Sequence, residues 1–408
     1  MLNGGGTLDA AEPQTAQGRI PVRNKKNKTS PINAAIALFF LSSLLYNVES
    51  LQVIGYVLLI TAIIFFALCL FAGKHVRIRN AAVYRICILF LTALFFIELL
   101  RRISFRGFEV LVCFYIALIV FHAFATVDLH TIKIYRIKRC IWFEIFLLFI
   151  PMAIGTGYSP IDGGYWSFYS TTTFLGFFSC LQIEICVLIY YITKEKGWFW
   201  LILPLMALVY LSRVRTAYVG VIIVLLTVLL QCFTLNRSYR FYSLLKWVFI
   251  GGIMAFVVIY PQLEQFDWYG GVEAFVYLYT GKILLSGRNE IWAEGFQYVS
   301  QSPYWGYGLD TSFIDISMHN SYLQMILESG AVGMIGVVIL INCVLSQISS
   351  NSGRQYKLVF IFTLVNLLLA TTEVMLFHGQ MILEVLVWSI MGLGLNKTLY
   401  KASMSIKQ

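Results

Sequence analysis

The sequence predicts an all-α, polytopic membrane protein of roughly twelve transmembrane helices, interrupted by one large extracytoplasmic loop. Composition is the first reason: 59% of the 408 residues are hydrophobic and 12% are charged, against roughly 25% charged in an average soluble domain. The second is a series of apolar runs long enough to cross about 30 Å of hydrocarbon, where only helices or closed barrels keep the backbone hydrogen-bonded. The third is charge, which changes from one connection to the next along the chain.

Residues 1–30 carry Gly, Gln, Asn and the basic cluster Arg19 to Lys28 without an apolar core. They read as a disordered cytoplasmic tail and not a cleaved leader. Nine apolar runs occupy 31–260, at 31–47, 51–72, 82–100, 107–126, 139–155, 172–193, 197–211, 216–234 and 244–260. Residues 261–318 are the long polar stretch, with Gly, Pro, Trp, Tyr and both charge signs, the kind of segment that houses water-facing chemistry. Three further runs, at 319–345, 355–374 and 380–397, fill 319–397, and 398–408 is a second cytoplasmic tail.

The formal charge of +10 raises the question of nucleic acid, and its placement answers it. With the amino terminus inside, the cytoplasmic segments collect 22 of the 30 basic residues, among them Lys74, Arg77, Lys133, Arg136, Lys194, Arg237, Arg354 and Lys401. Arg85 falls within a helix, and seven are left outside: Arg101, Arg102, Arg106, Arg213, Arg215, Lys282 and Arg288. The positive-inside rule then puts both termini in the cytoplasm and 261–318 on the outer face, so the charge is topological. The eight cysteines lie in or beside hydrophobic runs and show no disulfide framework and no metal-binding pair.

An arginine left on the translocated side next to hydrocarbon opposes insertion and is usually kept for a partner. In LSRVRTAYVG, Arg213 and Arg215 sit just ahead of a helix whose first turn offers free N–H groups, and guanidinium forks suit phosphate. The bland reading is two snorkelling arginines. In LLSGRNEIWAEGFQYVSQSPYWGYGLD, Arg288 follows a Ser-Gly turn and opens a stretch with the apolar spacing of a short amphipathic helix, Ile291, Phe296 and Val299, before Pro303, Gly306 and Gly308 force turns. Here the bland reading is a loop in which Arg288 pairs with Glu290 or Glu294. His319, with Asn320, opens the tenth helix; imidazole carries protons near neutrality, although a helix-start histidine is more often a cap. His378 and Glu373 share that face. All three groups lie on one side under an orientation assigned from other residues, as an enzyme holding a lipid-linked pyrophosphate requires. No nucleotide phosphate loop, dinucleotide fingerprint or metal cluster is present, and no flanking carboxylate pair of the glycosidase kind.

These segments resemble the O-antigen ligase and polymerase superfamily of bacterial membrane glycosyltransferases. SRVRTAYVG is similar to the family's Ser-x-Ser-Arg-Thr-Ala helix start, with Arg215 in the arginine position. GRNEIWAEGFQYVSQSPYWGYGLD resembles its Gly-Arg, aromatic, Pro-x-x-Gly-x-Gly outer loop, with Arg288 in the second arginine position. HNSYLQMILESGAVG is similar to its His-Asn, nine residues, Gly-x-x-Gly pattern, with Gly330 and Gly333 in register. Two departures stand out. Arg213 replaces the family's small residue, so either arginine can be the functional one, and YWSFYSTTTFLG near 165–176 lacks the expected Asn-bearing pattern.

The resemblance implies a GT-C-like fold, no cofactor and no metal, and an undecaprenyl-pyrophosphate-linked oligosaccharide as donor. It implies catalytic roles for Arg215, Arg288 and His319, the arginines on pyrophosphate and the histidine on phosphate or on the acceptor hydroxyl proton. Arg213, Asn320, Trp305 and Tyr322 are the accompanying substrate-binding candidates. Aromatic residues near 158–169 and 265–307 either stack on sugars or form an interfacial belt. The reading is a polymerase of O-antigen, capsule or exopolysaccharide in the bacterial cytoplasmic membrane, its site on the outer face. Its partners would be membrane lipids and, in the same pathway, a chain-length regulator and a flippase. The rival within the superfamily is a ligase onto lipid A core. The rival outside it is a non-enzymatic flippase, for which Glu98, Glu144 and Glu184 in apolar helices are the argument.

Overall fold

The computed structural model describes residues 31–399, apart from 47, 73–77, 79, 161–162, 170, 232–234, 236, 281–282, 286, 315–316 and 378–379. The two predicted tails, bar 398 and 399, fall outside the described residues, as do His378, Lys282, Lys74, Arg77 and Lys401. The chain is all-helical. Among the described residues, nine α-helices come first: α1 Pro31–Leu45, α2 Gln52–Ala72, α3 Ala81–Arg101, α4 Phe105–Thr126, α5 Ile134–Ala153, α6 Thr172–Thr193, α7 Phe199–Ser212, α8 Arg215–Leu229 and α9 Tyr239–Ile259. The polar stretch holds α10 Tyr269–Thr280 and α11 Arg288–Gln301, and α12 Ser321–Ser350, α13 Arg354–Leu369 and α14 Met381–Leu393 follow.

Every predicted apolar run contains a helix, and six helices among the described residues are long and apolar enough to cross a membrane: α2, α3, α4, α6, α9 and α12. α1, α7, α8 and α14 are shorter apolar helices. α5 begins five residues ahead of the predicted run, so Arg136, Lys138 and Arg139 lie on its first turns, where Lys138 pairs with Glu195 at 2.7 Å. Residues 261–318 are richer in structure than a loop with one short helix. Their described residues include two α-helices, the 3-10 turn Ser312–Ile314 and most of another that begins just before them, Tyr260–Gln265.

Burial orders the bundle. α6, α13 and α14 are buried along most of their length, whereas α2, α3 and α9 expose large apolar side chains such as Val53, Phe71, Ile86, Leu89 and Val248. Apolar exposure of that extent is stable against lipid tails, and the drive for central packing then comes from close fit and hydrogen bonds. Buried polar side chains stitch the centre accordingly. Ser43 donates to Glu144 at 2.6 Å, Gln182 donates to the other Glu144 oxygen, and Asn366 donates to Glu184 at 3.0 Å.

One departure from the predicted layout positions the site. The tenth run is a broken helix: inside α12, Gly330 has φ 64° and ψ −167°, so 321–329 and 331–350 are separate helical pieces. The break would orphan backbone groups inside the protein, a cost of several kcal/mol each in a membrane setting. The Pro303–Gly308 loop takes them instead. Tyr307 and Gly308 N–H donate to Leu327 and Glu328 O at 2.9 Å, and Ala331 and Val332 N–H donate to Pro303 and Tyr304 O at 2.9 and 3.3 Å. Glycine is required on both sides of the contact: a Cβ on Gly330 would strike the Tyr304 carbonyl, and one on Gly306 the Glu328 carbonyl. Gly330→Ala should therefore cost about 1–3 kcal/mol and lower the Tm of the detergent-solubilised protein. Gly251→Ala in α9 meets open space and should be near neutral. Equal Tm values for the two variants would refute the loop-to-break account.

Candidate active site

Between α7 and α8 lie only Arg213 and Val214. Arg213 closes α7 in the left-handed region with φ 55°, its N–H on Tyr210 O at 3.2 Å, a position usually given to glycine. Ser212 supports the turn, donating to Val209 O at 2.7 Å and accepting from Val214 N at 3.4 Å. The Arg213 guanidinium lies over Gly163, where a Cβ would sit 3.3 Å from Nη1. The connection before α6 thus reaches the site through a glycine, not through the asparagine pattern expected from the resemblance. Arg215 is the first residue of α8.

Arg288 opens α11 after Gly287, whose φ of 73° makes the turn. Tyr260 lines the same cavity as the two arginines: its hydroxyl donates to Leu285 O at 2.9 Å, and both guanidinium groups act on it electrostatically. Trp292, one turn beyond Arg288, is fully buried against Tyr260, with ring centroids 4.4 Å apart. Its indole N–H donates to Met318 O at 2.8 Å, immediately before His319. This bolt from α11 to the start of α12 sets the distance between Arg288 and His319. Sequence reasoning missed it, although a tryptophan four residues after the family arginine was its signal.

His319 has φ 44°, a left-handed conformation that histidine tolerates better than most side chains. Asn320 follows as the cap of α12, fully buried, its Oδ1 accepting from Tyr322 N at 2.9 Å and Leu323 N at 3.0 Å. Asn320 is therefore a scaffold residue through its oxygen, and its buried amide nitrogen has no hydrogen-bond partner among the described residues.

Arg213, Arg215, Arg288 and His319 line one cavity of about 770 Å³, together with Thr172 and Thr173 of α6. That volume suits a drug-sized or larger ligand head. Its remaining wall is largely apolar, with Phe177, Val219, Phe256, Ile291 and Leu368, and none of the described lining residues is acidic. Four helix N-termini meet there, those of α6, α8, α11 and α12. Thr171 caps α6 and Asn320 caps α12, so their first N–H groups are partly used. α8 and α11 have no side-chain cap, and they are the two that begin with an arginine. Uncapped N–H groups, the positive end of the helix dipole and a guanidinium fork at one point make a site for a multiply charged anion.

Two aromatic candidates are not brought to this cavity. Tyr322 is buried inward against α13, its hydroxyl donating to Leu367 O at 2.9 Å, because the turn after His319 faces the bundle interior. Trp305 is exposed and sits in the loop clamped at the Gly330 break, where its carbonyl accepts from Arg101 Nη1 at 3.4 Å. It lies at the far end of the 321–329 piece from His319. Of the other arginines that the charge pattern assigns to the outer face, Arg101 pairs with Glu98 at 2.6 Å, Arg106 with Glu109 at 2.8 Å, and Arg102 approaches Asp310 to 3.8 Å. Burial would raise the Asp310 carboxyl, but the hydroxyl and N–H of Ser312, the Ser104 hydroxyl and Arg102 outweigh it and hold the group below its ordinary value. These arginines belong to a structural ion-pair cluster at the foot of the loop.

Residues 199–338, about a third of the chain, match a family model described as O-antigen ligase. The matched stretch runs from α7 past the α12 break and carries all four side chains of the cavity cluster. No curated protein matches the chain.

Proposed function

We propose that this chain is a membrane glycosyltransferase-like enzyme of the O-antigen ligase and polymerase superfamily, which its residues 199–338 match, and within it a polysaccharide polymerase. It transfers a growing glycan from undecaprenyl pyrophosphate to a hydroxyl of the next lipid-linked repeat unit. The observation that carries the reading is the convergence of three arginines and one histidine on one cavity with largely apolar walls and no acidic side chain among its described lining residues. Arg215 and Arg288, with the uncapped N-termini of α8 and α11, hold the pyrophosphate and stabilise the charge that grows on it as the glycosidic bond breaks. Arg213 supports the same anion from the α7 side. The phosphate leaves without a metal in this reading, because fixed guanidinium and backbone donors supply the charge. His319 takes the proton of the acceptor hydroxyl.

The membrane in question is the bacterial cytoplasmic membrane. All twelve helical runs span it, both termini are inside, and the cavity opens outward, as the distribution of basic residues argues. A flippase and a chain-length regulator of the same pathway are the natural partners. The ligase reading has one observation in its favour, the description of the matching family. In that case the acceptor is lipid A core and transfer occurs once.

Purified protein given one defined lipid-linked repeat unit separates the readings. A ladder of lengthened glycans is the expected product of a polymerase. Product only with added lipid A core identifies a ligase, and no new glycosidic bond with either acceptor removes the enzyme.

A further inference from the structure

We propose that Glu373 is the positioning residue of the transfer reaction, holding the His319 imidazole with Nδ1 toward itself and Nε2 toward the acceptor hydroxyl. The inference rests on the reading of His319 as the group that takes the acceptor proton. Glu373 Oε1 lies 3.5 Å from His319 Nδ1, and the carboxylate is 6% exposed against 45% for the imidazole. The acid therefore sits behind the ring, and the ring faces the cavity.

A buried carboxylate is costly unless its lone pairs are met. Among the described contacts of Glu373, Oε1 accepts from Val374 N at 3.1 Å, and the imidazole Nδ1 is its neighbour at 3.5 Å. The backbone fixes the pair in register. Ser321 N–H donates to Ala370 O at 2.9 Å, its hydroxyl donates to Glu373 O at 3.0 Å, and the same hydroxyl accepts from Met375 N at 2.9 Å. A single serine, two residues after His319, thus staples the α13–α14 connection to the start of α12 from both sides of Glu373. No hydrogen bond joins Nδ1 to the carboxylate at the present angle. Catalytic hydrogen bonds often tighten only when substrate is bound, and 3.5 Å leaves a small closing movement.

The chemical consequence is a defined tautomer. With the Nδ1 proton turned to Glu373, the Nε2 lone pair is left for the acceptor. The acceptor oxygen forms its bond to the anomeric carbon, the bond from that carbon to the pyrophosphate oxygen breaks, and the hydroxyl proton moves to Nε2. Undecaprenyl pyrophosphate leaves with the bonding electron pair, and the carboxylate faces the imidazolium so formed. The sequence left open whether His319 binds phosphate or takes a proton. A carboxylate behind the ring favours the second role, since it fixes which nitrogen carries the proton before the reaction begins.

The test uses full-length protein in liposomes with a defined lipid-linked repeat unit. Glu373→Gln should lower kcat about 10²-fold while KM for the donor stays within about twofold, because the donor clamp is untouched. Glu373→Asp should recover roughly a tenth of wild-type turnover. On a His319→Gln background, Glu373→Gln should add no further loss, as expected of two residues acting as one unit. An additive loss in the double variant, or a KM rise matching the fall in kcat, overturns the proposal. If Glu373→Gln fails to reach the membrane, Glu373→Asp carries the test: reduced kcat at normal abundance and KM supports it, and a proportional loss of abundance overturns it. Full transfer by His319→Gln alone refutes the proton-acceptor reading itself, a result distinct from any outcome at Glu373.

Discussion

Arg288→Lys is expected to lose most glycan transfer, roughly 10²-fold in kcat/KM, while membrane abundance stays near wild type. Lysine keeps the charge but presents a point ammonium where the guanidinium gives a planar fork, and the difference matters most for an anion gripped from several sides at once. Arg288 stands at the first position of α11, beside Tyr260 and across from Arg215. Arg215→Lys should fall by a similar factor, since it occupies the equivalent place on the other uncapped helix. Arg213 differs: its backbone closes α7 and its guanidinium lies against Gly163, so Arg213→Lys should cost less. Quantifying polymerised glycan against protein abundance in membranes checks all three. Near-wild-type polymer from both the Arg215 and Arg288 variants would sink the pyrophosphate clamp, and a larger effect at Arg213 than at Arg215 would move the family arginine by two positions.

His319→Gln should abolish turnover, about 10²- to 10⁴-fold, and leave donor affinity close to wild type. Glutamine retains an N–H for a phosphate oxygen and has no lone pair basic enough to take a hydroxyl proton, so it separates the two roles in one substitution. The local frame should survive the change. Asn320 caps α12, Ser321 ties it to 370–375, and Trp292 anchors Met318, none of them through the imidazole. Single-turnover transfer, measured beside binding of the lipid-linked donor, reads both quantities. Substantial residual transfer with weakened donor binding would make His319 a phosphate ligand.

Much of the candidate site was legible in the sequence because three of its four side chains are arginines that depart from the positive-inside rule. Arg213, Arg215 and Arg288 sit in connections that the distribution of basic residues assigns to the outer face, and three local motifs mark them together with His319. The aromatic candidates were not legible in the same way. Trp305 and Tyr322 were chosen for residue type near a motif, yet Tyr322 turns inward to Leu367 and Trp305 is carried off by the loop at the Gly330 break. Trp292 was passed over, although it follows the family arginine by four residues, because a buried indole in an amphipathic stretch resembles ordinary core until its N–H partner is seen. Gly330 and Gly306 were read as motif positions and turn formers. That each makes room for the other's strand of backbone depends on a contact between segments more than twenty residues apart, which no local pattern encodes.

The sequence by itself determined the class of protein, the helical runs and the identity of the charged residues opposed to insertion. Those follow from hydrophobic length and from charge placement, and both are sums over local composition. Only the tertiary structure decided that these residues share one cavity, that α12 is broken, and that Glu373 lies behind His319. Such facts depend on which helix ends meet. In a bundle whose outer surfaces are uniformly apolar, that choice is made by close packing, by glycines that admit backbone and by a few buried hydrogen bonds, which leave little periodic trace along the chain.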